Sequence, residues 1–165
     1  MLRKSYSRQL VANLWICRGN QKTNPGDGES MTIRGSCLCG EVSYEVSGPY
    51  PTAWHCHCSQ CRRAHGAAFG SYAGVEPENF KWLSGEKLVK IYAPGDGGFV
   101  FCGQCGSNVA GSWKGVICQV TFGSMEGDPE VHPDQHIFVG SKAPWIEIGD
   151  NLPQNDEYPP DFDDA

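Results

Sequence analysis

The sequence has no uninterrupted apolar run of about 18 residues, the length that a membrane-spanning helix needs. It also has no sustained helical periodicity of apolar positions and no internal repeat, so long amphipathic helices and solenoids are not predicted. Basic residues are scarce, because 13 lysines and arginines stand against 19 acidic residues, and the formal net charge is −6. No basic stripe with interleaved aromatic residues occurs. The sequence therefore predicts neither a membrane partner nor a nucleic-acid partner.

The two ends of the chain differ in composition from its middle. Residues 1–30 carry five basic and two acidic residues around a short apolar run, 10–17. This run is too short for a secretory signal and has no small-residue cleavage site, whereas its basic character partly fits a mitochondrial presequence. We interpret residues 1–30 as an N-terminal extension, either a disordered arm or an artefact of the gene model. Residues 31–160 are the predicted domain, and residues 161–165 are an acidic tail.

The middle of the chain is predicted to be mainly β. Its 21 glycines and 11 prolines favour frequent turns, and short alternating or apolar segments lie between these turns. The predicted strands are 41–46, 80–83, 88–92, 99–101, 116–122 and 136–139. Only residues 59–65 are predicted to form a short helix. The expected architecture is a small β-sheet domain built from hairpins.

The nine cysteines are the most informative residues of the sequence, because seven of them fall into three tight clusters. The clusters are Cys37 and Cys39; Cys56, Cys58 and Cys61; and Cys102 and Cys105. Thiols two residues apart form only strained disulfides, and the odd total fits a disulfide framework badly. A thioredoxin-like redox role lacks its βαβ context. Zinc is the expected metal for such thiol sets, with iron–sulfur ligation as the alternative.

Ligand counting divides the seven thiols into two sites. Cys37, Cys39, Cys102 and Cys105 complete a four-thiol structural zinc that joins two distant segments. Cys56, Cys58 and Cys61 supply only three ligands, which is the pattern of a zinc that carries out chemistry. The alternative is that a nearby histidine closes this second site, and the candidates are His55, His57 and His65. Three thiolates favour binding of a substrate thiol over hydrolysis, which predicts sulfur chemistry on a small thiol.

The cysteine motifs, taken with their flanking residues, resemble one known family. Segments 35–42, 55–63 and 101–107, followed by 136–138, 141–145 and 152–154, are similar to the glutathione-dependent formaldehyde-activating enzymes, also called the centromere protein V family. The resemblance extends roughly over residues 32–160. It implies an Mss4-like β fold with two zinc ions. The structural zinc would be bound by Cys37, Cys39, Cys102 and Cys105, and the catalytic zinc by Cys56, Cys58 and Cys61. It also implies condensation of glutathione with formaldehyde by a carbon–sulfur lyase of the S-(hydroxymethyl)glutathione synthase type.

Three residues beside the second cluster are candidate substrate contacts. Arg62 and Arg63 can pair with the carboxylates of a glutathione-like thiol, and His65 can carry a proton. The competing hypothesis for the whole domain is a zinc-stapled binding module without catalysis. Seven thiols kept available for metal require a reducing compartment, so the predicted location is the cytoplasm.

Overall fold

The computed structural model of the chain describes residues 31–160, so the predicted N-terminal extension and the acidic tail lie outside the described residues. Short strands dominate the described part. The strands are β1 (Thr32–Ser36), β2 (Ser43–Ser47), β3 (Ala53–Cys56), β4 (Gly70–Gly74), β5 (Phe80–Ser84), β6 (Val89–Tyr92), β7 (Gly97–Cys102), β8 (Asn108–Trp113), β9 (Val116–Thr121) and β10 (His136–Ile137). The α-helix α1 spans Ser59–His65, and 3₁₀ turns lie at Pro77–Asn79, Glu86–Leu88, Phe122–Ser124 and Val139–Ser141.

The strands form two sheets. The smaller sheet has the order β1-β2-β5, and the larger one has the order β10-β3-β4-β9-β8-β7-β6. All pairs are antiparallel except β10 with β3, which run parallel. The described residues contain no helix with the length and hydropathy needed to cross a lipid bilayer.

The predicted mainly β architecture is confirmed, and the predicted helix 59–65 coincides with α1. Three strands that line the cavity, β3, β4 and β8, were not among the predicted strands. Three of the four residues of β3, four of the five of β4 and five of the six of β8 are buried. A strand covered on both faces loses the polar–apolar alternation by which strands are recognised, so periodicity did not reveal them.

The large sheet packs a different cluster on each face. Strand alternation places Val100 and Cys102 of β7 on the face that joins the main core, whereas Phe99 packs with a second cluster. The main core includes the fully buried Tyr44 and Val120, and the second cluster contains Trp54, Tyr72 and Ile137. Cys56 and Cys61 belong to the second cluster, whereas Cys37 and Cys102 belong to the main core.

A glycine at the turn between β5 and β6 is expected to be required for stability. Gly85 has a φ of +68°, and a Cβ there would overlap the backbone carbonyl of Glu41. The variant Gly85→Ala should therefore lose about 2 kcal/mol or more of unfolding free energy, from left-handed backbone strain and this clash. Urea unfolding at saturating zinc would measure the loss. Gly149→Ala is the matched control, since nothing lies within 4 Å of its added Cβ, and equal midpoints for the two variants would contradict the prediction.

Candidate metal centres

Two turns bring together the four thiols of Cys37, Cys39, Cys102 and Cys105. Cys37 directly follows β1, and its N–H donates to the carbonyl of Val42 at 2.9 Å. Cys102 ends β7, and its N–H donates to the carbonyl of Ser107 at 3.0 Å. The N–H of Leu38 donates to the Ser107 hydroxyl at 3.0 Å, which ties the two turns to each other. Cys37 and Cys102, which are 65 positions apart in the chain, are thereby held close together.

The four sulfurs of this group have the spacing that a tetrahedral ion requires. Cys37 Sγ lies 3.4 Å from Cys39 Sγ, which lies 3.9 Å from Cys102 Sγ, and the four sulfurs, including that of Cys105, all lie within 4.8 Å of one another. Sulfurs placed at about 2.3 Å from a zinc ion in a tetrahedron are about 3.8 Å apart. The backbone N–H of Val42 also points at Cys37 Sγ, at 3.3 Å. This donor set fits a four-thiolate metal site.

The second group forms where β3 passes into α1. Cys56 ends β3, Cys58 is the N-cap of α1, and Cys61 lies in its first turn. The N–H of Cys61 donates to Cys58 Sγ at 3.3 Å, as in a side-chain N-cap. The three sulfurs lie within 4.8 Å of one another. The helix start therefore fixes three thiols around one point, which fits a metal ion with three protein ligands.

The crowding of these thiols favours a cation among them. Hydrogen bonds from Cys56 and Cys61 lower the pKa of the Cys58 thiol to about 3. The same contact with Cys58 raises the pKa of Cys56 well above its usual range, and burial adds to that effect. Three thiolates at this spacing repel one another, so a bound cation would stabilise the fully ionised set.

A cavity of about 310 Å³ distinguishes the second group from the first. Cys56, Cys58 and Cys61 all line it, and no cysteine of the four-thiol group does. Six aromatic side chains form much of its remaining wall: Trp54, Tyr72, Phe99, Trp113, Phe138 and Tyr158. Within residues 31–160, no histidine, carboxylate or further cysteine joins the three sulfurs as a fourth ligand. The three-thiol site is therefore open to a small molecule.

A tyrosine that the sequence analysis did not single out touches the three-thiol group. The Tyr72 hydroxyl donates to Cys61 Sγ at 3.5 Å and lies 2.7 Å from His65 Nε2. Because the hydroxyl hydrogen points to the sulfur, the His65 contact requires the Nε2–H tautomer, which donates to the tyrosine oxygen. No local sequence pattern predicts this contact, because it depends on the antiparallel pairing of β3 with β4, which places Tyr72 opposite Trp54.

The predicted substrate contacts, Arg62, Arg63 and His65, are all residues of α1. Arg62 donates from Nε to the carbonyl of His57 at 3.3 Å and from Nη2 to that of Ser141 at 3.2 Å. Arg63 is exposed, and His65 contacts Tyr72 as described above. None of the three lines the cavity, and their role in substrate binding stays a prediction.

A buried imidazole pair supports the loop between Cys56 and Cys58. His57 Nε2 lies 2.8 Å from His136 Nδ1, and His136 Nε2 lies 3.1 Å from the Asp150 carboxylate. Burial lowers the pKa of His57 to about 4, so its imidazole is neutral and shares one proton with His136. The last strand and the segment after it thereby hold the thiol-bearing loop in place. The candidate ligand His55 instead contacts the Ser71 hydroxyl through Nδ1 at 2.8 Å.

Comparison with known proteins identifies the family of the chain. A sequence profile described as "Glutathione-dependent formaldehyde-activating enzyme" matches residues 32–141. A Halomonas elongata protein, provisionally named as such an enzyme, is 28% identical over a 131-residue alignment that covers 72% of this chain and 82% of the relative. A crystal structure of a Rhodobacter sphaeroides protein shares 27% identity, covers 58% of this chain and 89% of its own, and has a TM-score of 0.46. With the profile matching most of its length, the chain belongs to the glutathione-dependent formaldehyde-activating enzyme family.

Proposed function

We propose that this protein is a zinc enzyme that joins a small thiol to a formaldehyde-like aldehyde, or cleaves the resulting adduct. The observation that carries the proposal is the asymmetry of the two thiol groups. The four-thiol group is complete, whereas the three-thiol group faces a cavity large enough for a small substrate. Membership of a family named for formaldehyde and glutathione supports the same reaction class.

The reaction balances without a redox partner. The thiol sulfur forms a bond to the aldehyde carbon, the carbonyl double bond becomes a single bond, and the thiol proton ends on the new hydroxyl oxygen. A zinc ion held by Cys56, Cys58 and Cys61 would supply Lewis acidity that favours the ionised form of a thiol nearby. The reverse reaction is a carbon–sulfur lyase step, which is the class that we propose.

The residues around the three thiols have separate tasks in this proposal. Tyr72 holds its proton against Cys61 Sγ, which compensates part of the charge on that sulfur. His65 fixes the orientation of the Tyr72 hydroxyl. The aromatic walls, including Trp54 and Phe99, keep bulk water away from the reacting atoms.

The four-thiol group is proposed to hold a second, structural zinc. Its ligands come from the ends of β1 and β7, and its two most buried members, Cys37 and Cys102, are part of the main core. Residues 31–160 are accordingly proposed as one zinc-stapled unit. A chain that keeps seven thiols for metal is proposed to work in a reducing compartment, the cytoplasm.

The proposal is tested by exchange NMR with ¹³C-formaldehyde and a thiol, because thiols and formaldehyde also react without a catalyst. Glutathione, which the family's name suggests, and 2-mercaptoethanol are the two thiols to compare. We expect two zinc ions per chain and an exchange rate above background with at least one thiol, and we expect metal-stripped protein to lose that rate. Protein that holds two zinc ions and accelerates neither reaction would contradict the enzyme proposal and leave the non-catalytic binding module as the better account.

A further inference from the structure

The side chain of Asn108 joins the turn of the four-thiol group to the helix of the three-thiol group. Asn108 is the first residue of β8 and follows the turn that carries Cys102 and Cys105. Its amide nitrogen Nδ2 donates a hydrogen bond to the carbonyl of Ala64, at 2.5 Å. Ala64 lies in the last turn of α1, the helix that carries Cys61. The two thiol groups are therefore connected by a hydrogen bond between residues that are 44 positions apart in the chain.

The short helix α1 depends on contacts of this kind. It has seven residues, whereas isolated helices shorter than about 12 residues are marginal in water. The last four carbonyls of a helix have no partner within it, and the Asn108 amide satisfies one of them, that of Ala64. The other side-chain hydrogen bonds between α1 and the rest of residues 31–160 involve His57, Tyr72 and Ser141. None of these three residues belongs to a segment that carries the four-thiol group, so Asn108 provides the link between the two groups.

The position of Asn108 is set by the four-thiol turn. The preceding residue, Ser107, accepts the N–H of Cys102 at its carbonyl and the N–H of Leu38 at its hydroxyl, both at 3.0 Å. The Cys105 sulfur also lies 3.5 Å from the Ser107 hydroxyl oxygen. A metal ion held by the four thiols would fix both halves of this turn, and the start of β8 with them.

The amide of Asn108 is not explained by packing. Its oxygen Oδ1 is buried and has no hydrogen-bond partner among the described residues. A buried polar atom without a partner lowers stability, and an apolar side chain of similar size would avoid that loss. The feature of this side chain that compensates for the unpaired oxygen is the N–H group that reaches α1.

We propose that Asn108 is a positioning residue that couples the two thiol groups. By holding the end of α1 on the four-thiol turn, it keeps Cys61 where this thiol can share a metal ion with Cys56 and Cys58. Filling of the four-thiol group thereby raises the metal affinity of the three-thiol group. This inference rests on the proposed metal binding by both groups and not on the proposed reaction.

The metal affinity of the three-thiol group in Asn108→Ala tests the proposal. ¹¹³Cd NMR distinguishes the two groups, because the chemical shift of cadmium depends on the number of its sulfur ligands, and competition with a chelator gives the affinity of each. With the four-thiol group filled, we expect about tenfold weaker binding at the three-thiol group, as for the loss of a partner that orients a metal ligand. Asn108→Asp keeps the shape of the side chain but replaces its donor with an oxygen, so it should weaken binding at least as much.

Thr121→Val is the matched control for these variants. The Thr121 hydroxyl donates to the backbone carbonyl of Asn108 at 3.1 Å, so the control also removes a hydrogen bond of residue 108 but keeps the amide contact with α1. It should lower the free energy of unfolding and leave the cadmium affinity of the three-thiol group unchanged. Wild-type affinity in Asn108→Ala, or an equal loss of affinity in Thr121→Val, would overturn the inference.

A double-mutant cycle with Ser107→Ala tests whether the four-thiol turn acts through Asn108. Ser107→Ala removes the hydroxyl that ties the two halves of the turn together, and we expect about threefold weaker cadmium binding at the three-thiol group. In an Asn108→Ala background the same change should have no further effect, and additive effects would overturn the coupling. These results would support the inference even if no thiol proves to be a substrate. A single ¹¹³Cd signal from the wild-type protein would contradict both the inference and the proposed second metal ion.

Discussion

Replacing Cys58 with serine is expected to bring thiol–aldehyde exchange close to its uncatalysed rate while the fold remains intact. Cys58 is one of the three clustered thiols, so its loss leaves two, which is too few to hold the proposed zinc firmly. We expect the bound zinc to fall from two ions to one per chain and the catalysed rate to drop by about 100-fold or more. Metal analysis and exchange NMR on the same preparation measure both effects.

Serine is the informative replacement at this position because Cys58 also caps α1. A serine oxygen can accept the N–H of Cys61 as the sulfur does, so the helix start is preserved. Ser59→Ala is the matched control, since it changes an exposed side chain at the neighbouring position and should leave zinc content and rate unchanged. A Cys58→Ser protein with full activity would show that the reaction does not depend on the three-thiol group.

Replacing Cys39 with alanine is expected to destabilise the whole domain, although Cys39 is exposed. Substitutions at exposed positions usually change unfolding free energy by about 0.5 kcal/mol or less. Cys39 is a member of the four-thiol group, and metal binding free energy in such sites is folding free energy. We therefore expect a loss of about 3 kcal/mol or more, measured by urea unfolding at saturating zinc.

The neighbouring Leu38 provides the control for this experiment. Its side chain is 88% exposed, so Leu38→Ala changes the same turn without removing a ligand and should leave the unfolding midpoint almost unchanged. Cys39→Ala should also abolish the stabilisation that added zinc gives at this site. A Cys39→Ala protein as stable as Leu38→Ala would indicate that the four thiols do not hold a structural ion.

The cysteine clusters and the short helix could be predicted from the sequence because both are local patterns. Cys56, Cys58 and Cys61 lie within six positions, and the helix that carries Cys61 starts at a residue that caps it. The cavity could not be read in this way. Its walls come from strands far apart in the chain, and whether Tyr72 contacts the thiols depends on sheet order and register. Predicting substrate contacts from positions next to the cysteines therefore led to Arg62 and Arg63, which lie outside the cavity lining.

The segment that follows β10 contributes to this cavity. Phe138 and Tyr158, whose ring centres are 4.6 Å apart, both line the cavity, yet Tyr158 lies beyond residue 141, where the match to the family profile ends. One side of the cavity is thus built by sequence outside the segment that defines the family. Homologues can therefore keep both thiol groups and still bind different substrates, if the C-terminal segment that contains Tyr158 differs between them.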